Sequence, residues 1–170
     1  ETGLWDPRGD VSSKQALMCG FDKVHCIEIR DDWVEIGNNE FAKQIAEGRY
    51  HLHLDDSTNM SKYLNEEHFK NKTMFFLDAH VDNNSIKNYK KRCPLMDELQ
   101  AIKNMSRNDH VIMVDDLRII KKAFPWGETS YGDIDFLQQI KNTILSINEK
   151  YVFTTLDGHI KDDVLLATVQ

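Results

Sequence analysis

The sequence predicts an α/β domain, a three-layer αβα sandwich around a mostly parallel sheet that closes with an antiparallel β-hairpin. Three observations carry this expectation. Short apolar runs alternate with helical patterns along the chain. Two of the runs, Thr73–Leu77 (TMFFL) and His110–Val114 (HVIMV), are nearly continuous hydrophobes, which is how strands covered on both faces read. The last two runs are separated only by residues 157–163, too short a stretch for a crossover helix.

The elements follow in order. Ser12 or Ser13 is placed to cap a first helix that ends at Gly20. Val24–Ile29 (VHCIEI) reads as a strand, and a helix follows over about Asp31 to Glu47. Val34, Phe41 and Ile45 lie on one face of that helix, and Gly37-Asn38-Asn39 weakens its middle. Tyr50–Leu54 (YHLHL) is the next strand, followed by a short helix around Thr58–Glu66. After the third strand, Pro94 opens a helix with Leu95, Leu99 and Ile102 at i, i+4 and i+7. After the fourth strand, Asp133 is expected to cap a helix that turns Phe136, Ile140, Ile144 and Ile147 inward. Tyr151–Leu156 and Val164–Val169 form the hairpin. Helix-length crossovers between buried strands imply parallel pairing, right-handed connections and helices on both faces.

Composition bounds the function. At about 150 residues per domain, 170 residues make one domain, 1–170. The 28 acidic against 21 basic side chains, a net charge of −7, argue against a general nucleic-acid binder. No apolar run approaches the roughly 18 residues of a membrane span. Position 1 runs straight into polar sequence, so no signal-like segment is expected. Cys19, Cys26 and Cys93 have neither CxxC nor CxH spacing, which favours a reducing, cytoplasmic setting over a disulfide framework or a cysteine zinc site. The N-x-S/T triplets at Asn59, Asn71, Asn83 and Asn104 are read as chance occurrences in an Asn-rich chain.

In an open α/β sheet, ligands bind outside the carboxyl ends of the strands. There the sequence places Glu28; Asp55 and Asp56 with Ser57; Asp78, His80 and Asp82; and Asp115 with Asp116. A single carboxylate in such a place usually caps a helix or starts a turn. Carboxylates at four strand ends call for a counter-charge, either a cation or a ligand rich in hydroxyl and amine donors. Glu28 lies 25 residues after Gly3, near the roughly 20-residue offset of the acidic residue that holds ribose hydroxyls. The loop from Glu1-Thr2-Gly3 to Arg8-Gly9-Asp10 is not G-x-G-x-x-G, which suits a nucleoside without a pyrophosphate. Asp78, Asp115 and Asp116 offer the oxygen ligands that suit Mg²⁺, Ca²⁺ or Mn²⁺. A salt-bridge network with Arg118, Lys121 and Lys122 is the structural alternative. His80 is a candidate general base, whereas His51 and His53 alternate along a strand and read as structural. Phe124-Pro125-Trp126-Gly127 and Tyr131 lie in a long loop that could cover a substrate.

These motifs, in this order and spacing, resemble those of class I S-adenosylmethionine-dependent methyltransferases. The resemblance rests on Glu1-Thr2-Gly3 with Ser12–Leu17, GFDKVHCIEI, LDDST, FFLDAH and the terminal hairpin, and it covers nearly the whole chain. It implies a Rossmann-like fold whose first strand precedes Glu1. It also implies S-adenosylmethionine as cofactor, held by Glu1, Gly3, Ser12, Ser13, Glu28 with Ile29, Asp56 with Ser57, and Asp78. The family's clustered glycines are thinned here to Gly3 and Gly9. An aspartate after one strand and an acidic pair after the next is similar to metal-dependent O-methyltransferases of the catechol and sugar types. The pair Asp115-Asp116, with Val81 where the catechol type has lysine, looks more like the sugar enzymes.

The expectation is therefore methyl transfer to a hydroxyl, that of a sugar or glycan. Asp78 and His80 are the catalytic candidates, and Asp78, Asp115 and Asp116 would hold a divalent cation. The implied partner is a small-molecule or glycan acceptor, with neither nucleic acid nor membrane. Two other readings stand beside it: a catalytically silent Rossmann-like binding domain of a larger polypeptide, and a nucleotide-sugar-dependent glycosyltransferase domain.

Overall fold

The computed structural model describes residues 1–80, 91–120 and 135–170. Among the described residues six strands form, β1 (Val24–Glu28), β2 (Tyr50–Leu54), β3 (Met74–Leu77), β4 (Val111–Val114), β5 (Tyr151–Leu156) and β6 (Val164–Val169). The helices are α1 (Ser12–Met18), α2 (Asp31–Glu40), α3 (Ala42–Ala46), α4 (Leu95–Lys103), α5 (Leu117–Ile120) and α6 (Phe136–Ile147). Two 3₁₀ segments, Ser57–Lys62 and Glu67–Lys70, stand where one short helix is expected.

β1 pairs with β2 in parallel, and the remaining strands run in the order β3-β4-β6-β5. β3 and β4 are parallel, while β6 is antiparallel to both β4 and β5. Residues 1–3 lie between the two groups. Thr2 makes parallel bridges to both Ile27 and Leu77, with its amide donating to the Phe76 carbonyl at 3.0 Å and its carbonyl accepting from Asp78 at 3.2 Å. This is the position expected for the strand ahead of β1, and Thr2 supplies one rung of it. The α/β sandwich with a closing hairpin is thus as the sequence predicts, and the fold is Rossmann-like.

The principal core lies where α4 and α6 pack on the sheet. Leu99, Ile102, Ile140 and Ile144 meet Phe75, Leu77, Ile112, Val114 and Leu165 there. A smaller core of Leu4, Val11, Val24, Cys26, Phe41 and Tyr50 forms under the helices of the amino-terminal half. Burial along β3 and β4 alternates: Phe75, Leu77, Ile112 and Val114 are buried, and Met74 is exposed. Continuous burial, which their composition suggested, is not observed, because α4 and α6 cover one face only.

Three local expectations are corrected. Neither Ser12 nor Ser13 caps α1; the cap position is Val11, and both serines fall inside the first turn. The helix expected over 31–47 breaks at Phe41, whose ring packs on Tyr50 with centroids 4.3 Å apart, and not at 37–39. Gly37 sits within α2, where a Cβ would come within 2.7 Å of Leu52, so this glycine permits close helix-to-sheet packing. α6 is capped by Asp135, which accepts from the Gln138 amide at 3.1 Å. Asp133 lies outside the described residues.

Candidate functional site

The carboxyl ends of β1 to β4 open into a cleft of about 760 Å³. Its lining includes Gly3, Ser12, Glu28, Ile29, Asp56, Ser57, Asp78, His80, Asp115 and Asp116, so most of the expected site residues share one cavity. Glu1 and Ser13 do not line it. Ser13 is buried and hydrogen-bonded to the Glu1 carboxylate and to the Tyr50 hydroxyl (2.7 Å), behind the loop.

Glu28 ends β1 and is only 4% exposed. Its two oxygens accept from the amides of Leu4 (2.7 Å) and Arg30 (2.8 Å), which fixes the loop at residues 3–5 to the strand end. Burial pushes its carboxyl above the ordinary range, against the lowering effect of those amides. The amides of Ile29 and Trp5 also bond to it, so the protein's own backbone takes up most of the roughly four acceptor positions of this carboxylate. Gly3 takes a left-handed φ of +82°, and a Cβ there would lie 3.2 Å from the Asp78 carbonyl oxygen. The first loop and the loop after β3 are therefore in backbone contact.

Asp55 and Asp56 diverge. Asp56 caps the 3₁₀ segment by accepting from Thr58 at 2.9 Å. Burial raises Asp55, but bonds from Lys62, Asn59 and Tyr63 outweigh it and hold the group at about 2. Asp55 is thus mainly structural.

On the other side of the cleft, Asp78, His80 and Asp116 each bring one ligand atom to within 4.8 Å of the others. His80 Nε2 is 3.2 Å from Asp116, and its Nδ1 is 3.9 Å from Asp78. Burial, reinforced by the charges of Asp115 and Asp116, pushes Asp78 up to about 9. Its carboxyl therefore holds a proton at neutral pH unless a cation is placed beside it.

Of the expected trio, Asp78 and Asp116 gather with His80, and Asp115 lies in the same cleft. Asp116 adopts a left-handed φ of 63°. Asp115 accepts from the Asp116 amide at 2.7 Å and groups with Asp116 and Asp163. His80 takes the third place beside Asp78. The salt-bridge alternative is also present in part, since Arg118 pairs with both Asp116 and Asp163. Lys121, Lys122, Val81, Asp82, Asn83, Phe124–Gly127 and Tyr131 lie outside the described residues.

Sequence reasoning missed four contributors. Asp163 is fully buried and accepts from the Arg118 amide at 2.8 Å, 45 residues away, a pairing that no local pattern signals. Trp5, 63% exposed, faces Trp33 with ring centroids 5.0 Å apart, and the Arg30 guanidinium lies 3.7 Å from the Trp33 centroid. All three line the cleft as an aromatic and cationic wall. Two tryptophans flanking the glycine loop and the β1 end were the available signal.

No protein-family model matches the chain, and no curated protein matches it. Solved structures do. The chain is similar to a candidate caffeoyl-CoA O-methyltransferase from Staphylococcus aureus, at 12% identity and a TM-score of 0.62 over 99% of this chain and 74% of that one. An O-methyltransferase from Bacillus cereus in complex with SAH matches at 13% identity and a TM-score of 0.52, over 87% of this chain and 63% of that one. A candidate methyltransferase from Streptococcus mutans, also with SAH, gives 12% and 0.51 over 94% and 82%. At these identities the likeness is one of fold: the chain has the Rossmann-like fold of class I S-adenosylmethionine-dependent methyltransferases.

Proposed function

We propose that the chain is an S-adenosylmethionine-dependent methyltransferase acting on a hydroxyl, that of a sugar or other small polyol. The observation that carries this reading is the cluster of Asp78, His80 and Asp116 in a strand-end cleft of a methyltransferase fold. O-methyl transfer, named for two of the similar structures, supports a hydroxyl acceptor. The acidic lining and the net charge of −7 support a neutral or cationic small molecule over nucleic acid.

In this reading Gly3, Glu28, Asp56 and Ser57 hold the cofactor, which supplies an already activated methyl group on a cationic sulfonium. Positioning then supplies most of the acceleration. Glu28 orients ribose hydroxyls, and the wall of Trp5 and Trp33 shields the cleft from water. With no ion bound, His80, held by Asp116, takes the acceptor's proton; with a divalent ion bound, it would serve as a ligand instead. Asp78 loses its own proton when positive charge enters and then stabilises that charge.

Two carboxylates and one imidazole form a donor set that fits Mn²⁺ or a similar divalent ion. The Arg118 guanidinium already compensates Asp116, so the fit is to one cation held by Asp78, His80 and Asp116. Such an ion would lower the pKa of a bound hydroxyl.

One observation favours the silent binding domain: four of the protein's own amides bond to the Glu28 carboxylate. Calorimetric titration with S-adenosylhomocysteine separates the two. Saturable one-to-one binding is expected, weakened at least tenfold in Gly3→Ala, and no binding overturns the methyltransferase reading. With labelled cofactor and a panel of sugars, Asp116→Asn is expected to lower transfer at least tenfold and to leave the residual transfer indifferent to Mn²⁺. Transfer that is indifferent to a chelator removes the metal from the mechanism.

A further inference from the structure

A second cluster lies outside the cleft, on the face of β1 and β2 opposite the smaller core. Strand alternation puts His25, His51 and His53 together there, with His25 directly across from His51 and Ile27 across from His53. The 3₁₀ segment Glu67–Lys70 brings His68 over them, with Glu66 just before it. His25 Nδ1 lies 3.2 Å from His53 Nε2, and His25 Nε2 lies 2.8 Å from His68 Nε2. Glu66 sits 3.7 Å from His68 Nδ1. One ligand atom from each of His25, Glu66 and His68 falls within 4.8 Å of the others. His25, His53 and His68 line a groove of about 600 Å³ on this face.

We propose that His25, His68 and Glu66 form a binding site for a borderline transition-metal ion, zinc by chemistry. The donor set of two imidazoles and one carboxylate, with an open fourth position, is that of many zinc sites. Zn–N distances of about 2.0–2.1 Å in tetrahedral geometry separate two imidazole nitrogens by about 3.3 Å. The facing nitrogens of His25 and His68 need to part only slightly to admit the ion. The contact of His25 Nδ1 with His53 is the outer hydrogen bond that fixes a ligating histidine's tautomer and leaves Nε2 free to coordinate. Phe69 packs against both ligating rings, with centroids 4.9 and 4.5 Å away, and Tyr63 covers His53 at 4.1 Å, so the site has an apolar shell. Burial, then the neighbouring imidazoles, hold His25 at about 3, and burial lowers His53 and His68 too.

The ion would tie the segment at 66–70 to β1 and needs nothing from the methyl-transfer cleft. The test is zinc titration of the full chain against a chromogenic chelator, together with melting curves. In Asp116→Asn, where the cation set of the cleft is broken, one equivalent is expected to bind and to raise the melting temperature by several degrees. His68→Gln and Glu66→Gln, both on the outer segment, are expected to weaken binding at least tenfold and to abolish the melting shift. His51→Gln, which keeps all three ligands, and Asp116→Asn in the cleft are expected to retain both. Zinc binding that survives His68→Gln and Glu66→Gln in the Asp116→Asn background, binding lost altogether in Asp116→Asn, or no saturable binding overturns the site.

Discussion

At the scale of single residues, the buried acids set the pH behaviour. Glu98 on α4 is 0% exposed, with the hydroxyls of Ser57 and Thr2 beside it. Burial raises its pKa from 4.5 to about 7, against the lowering effect of those hydroxyls. Below pH 4.5 the group is protonated in both the folded and unfolded chain. As pH rises from 4.5 to 7, the unfolded chain ionises and the folded one resists, so stability falls across that window by about 3 kcal/mol at most. Glu98→Gln is therefore expected to match the parent near pH 4 and to exceed it by about 1–3 kcal/mol at pH 8 in urea denaturation. A difference that does not change with pH refutes this assignment. Glu98 itself was not legible in the sequence: an acid between Asp97 and Leu99 reads as part of a solvated face. Its burial follows from the packing of α4 under the Thr2 rung.

At the scale of elements, strands were more legible than helix ends. β2, β5 and β6 fall on the residues their apolar runs mark, because β-branched and aromatic runs bounded by polar turns specify strands directly. Caps were less legible, because several serines and aspartates compete for each position. The Asp135 side chain holds the Gln138 amide, whereas Ser12 makes no cap bond to α1. Asp135→Ala is expected to cost about 1 kcal/mol of stability, and Ser12→Ala less than about 0.5 kcal/mol. Equal losses by chemical denaturation contradict that division. The strand-end rule likewise located the cleft but not its internal pairings. Asp116 meets His80, and Arg118 meets Asp163, only because a left-handed turn at Asp116 and the return of the hairpin bring them there.

At the scale of the molecule, the sheet is joined across its middle by Thr2, which pairs on both sides. The larger core lies with β3, β4 and β6, and the smaller one with β1 and β2. Cooperative units of unequal core size open at different free energies. Amides of β4 and β6 are expected to exchange with solvent only through global unfolding, and those of Val24–Glu28 and Tyr50–Leu54 at least tenfold faster. Uniform protection across the sheet contradicts this. No helix among the described residues is long and apolar enough to cross a membrane.

The position of β6 bears on how the chain folds as it is made. Its residues come last among the described strands, yet they lie between β4 and β5, with Leu165 opposite Val114 and Ala167 opposite both Ile112 and Phe153. A ribosome that has delivered everything through Leu156 has released two strand edges with nothing between them. The larger core then waits for residues 164–169, and until they emerge β4 and β5 are open to pairing with other chains. Chaperone demand during synthesis should be highest in that interval.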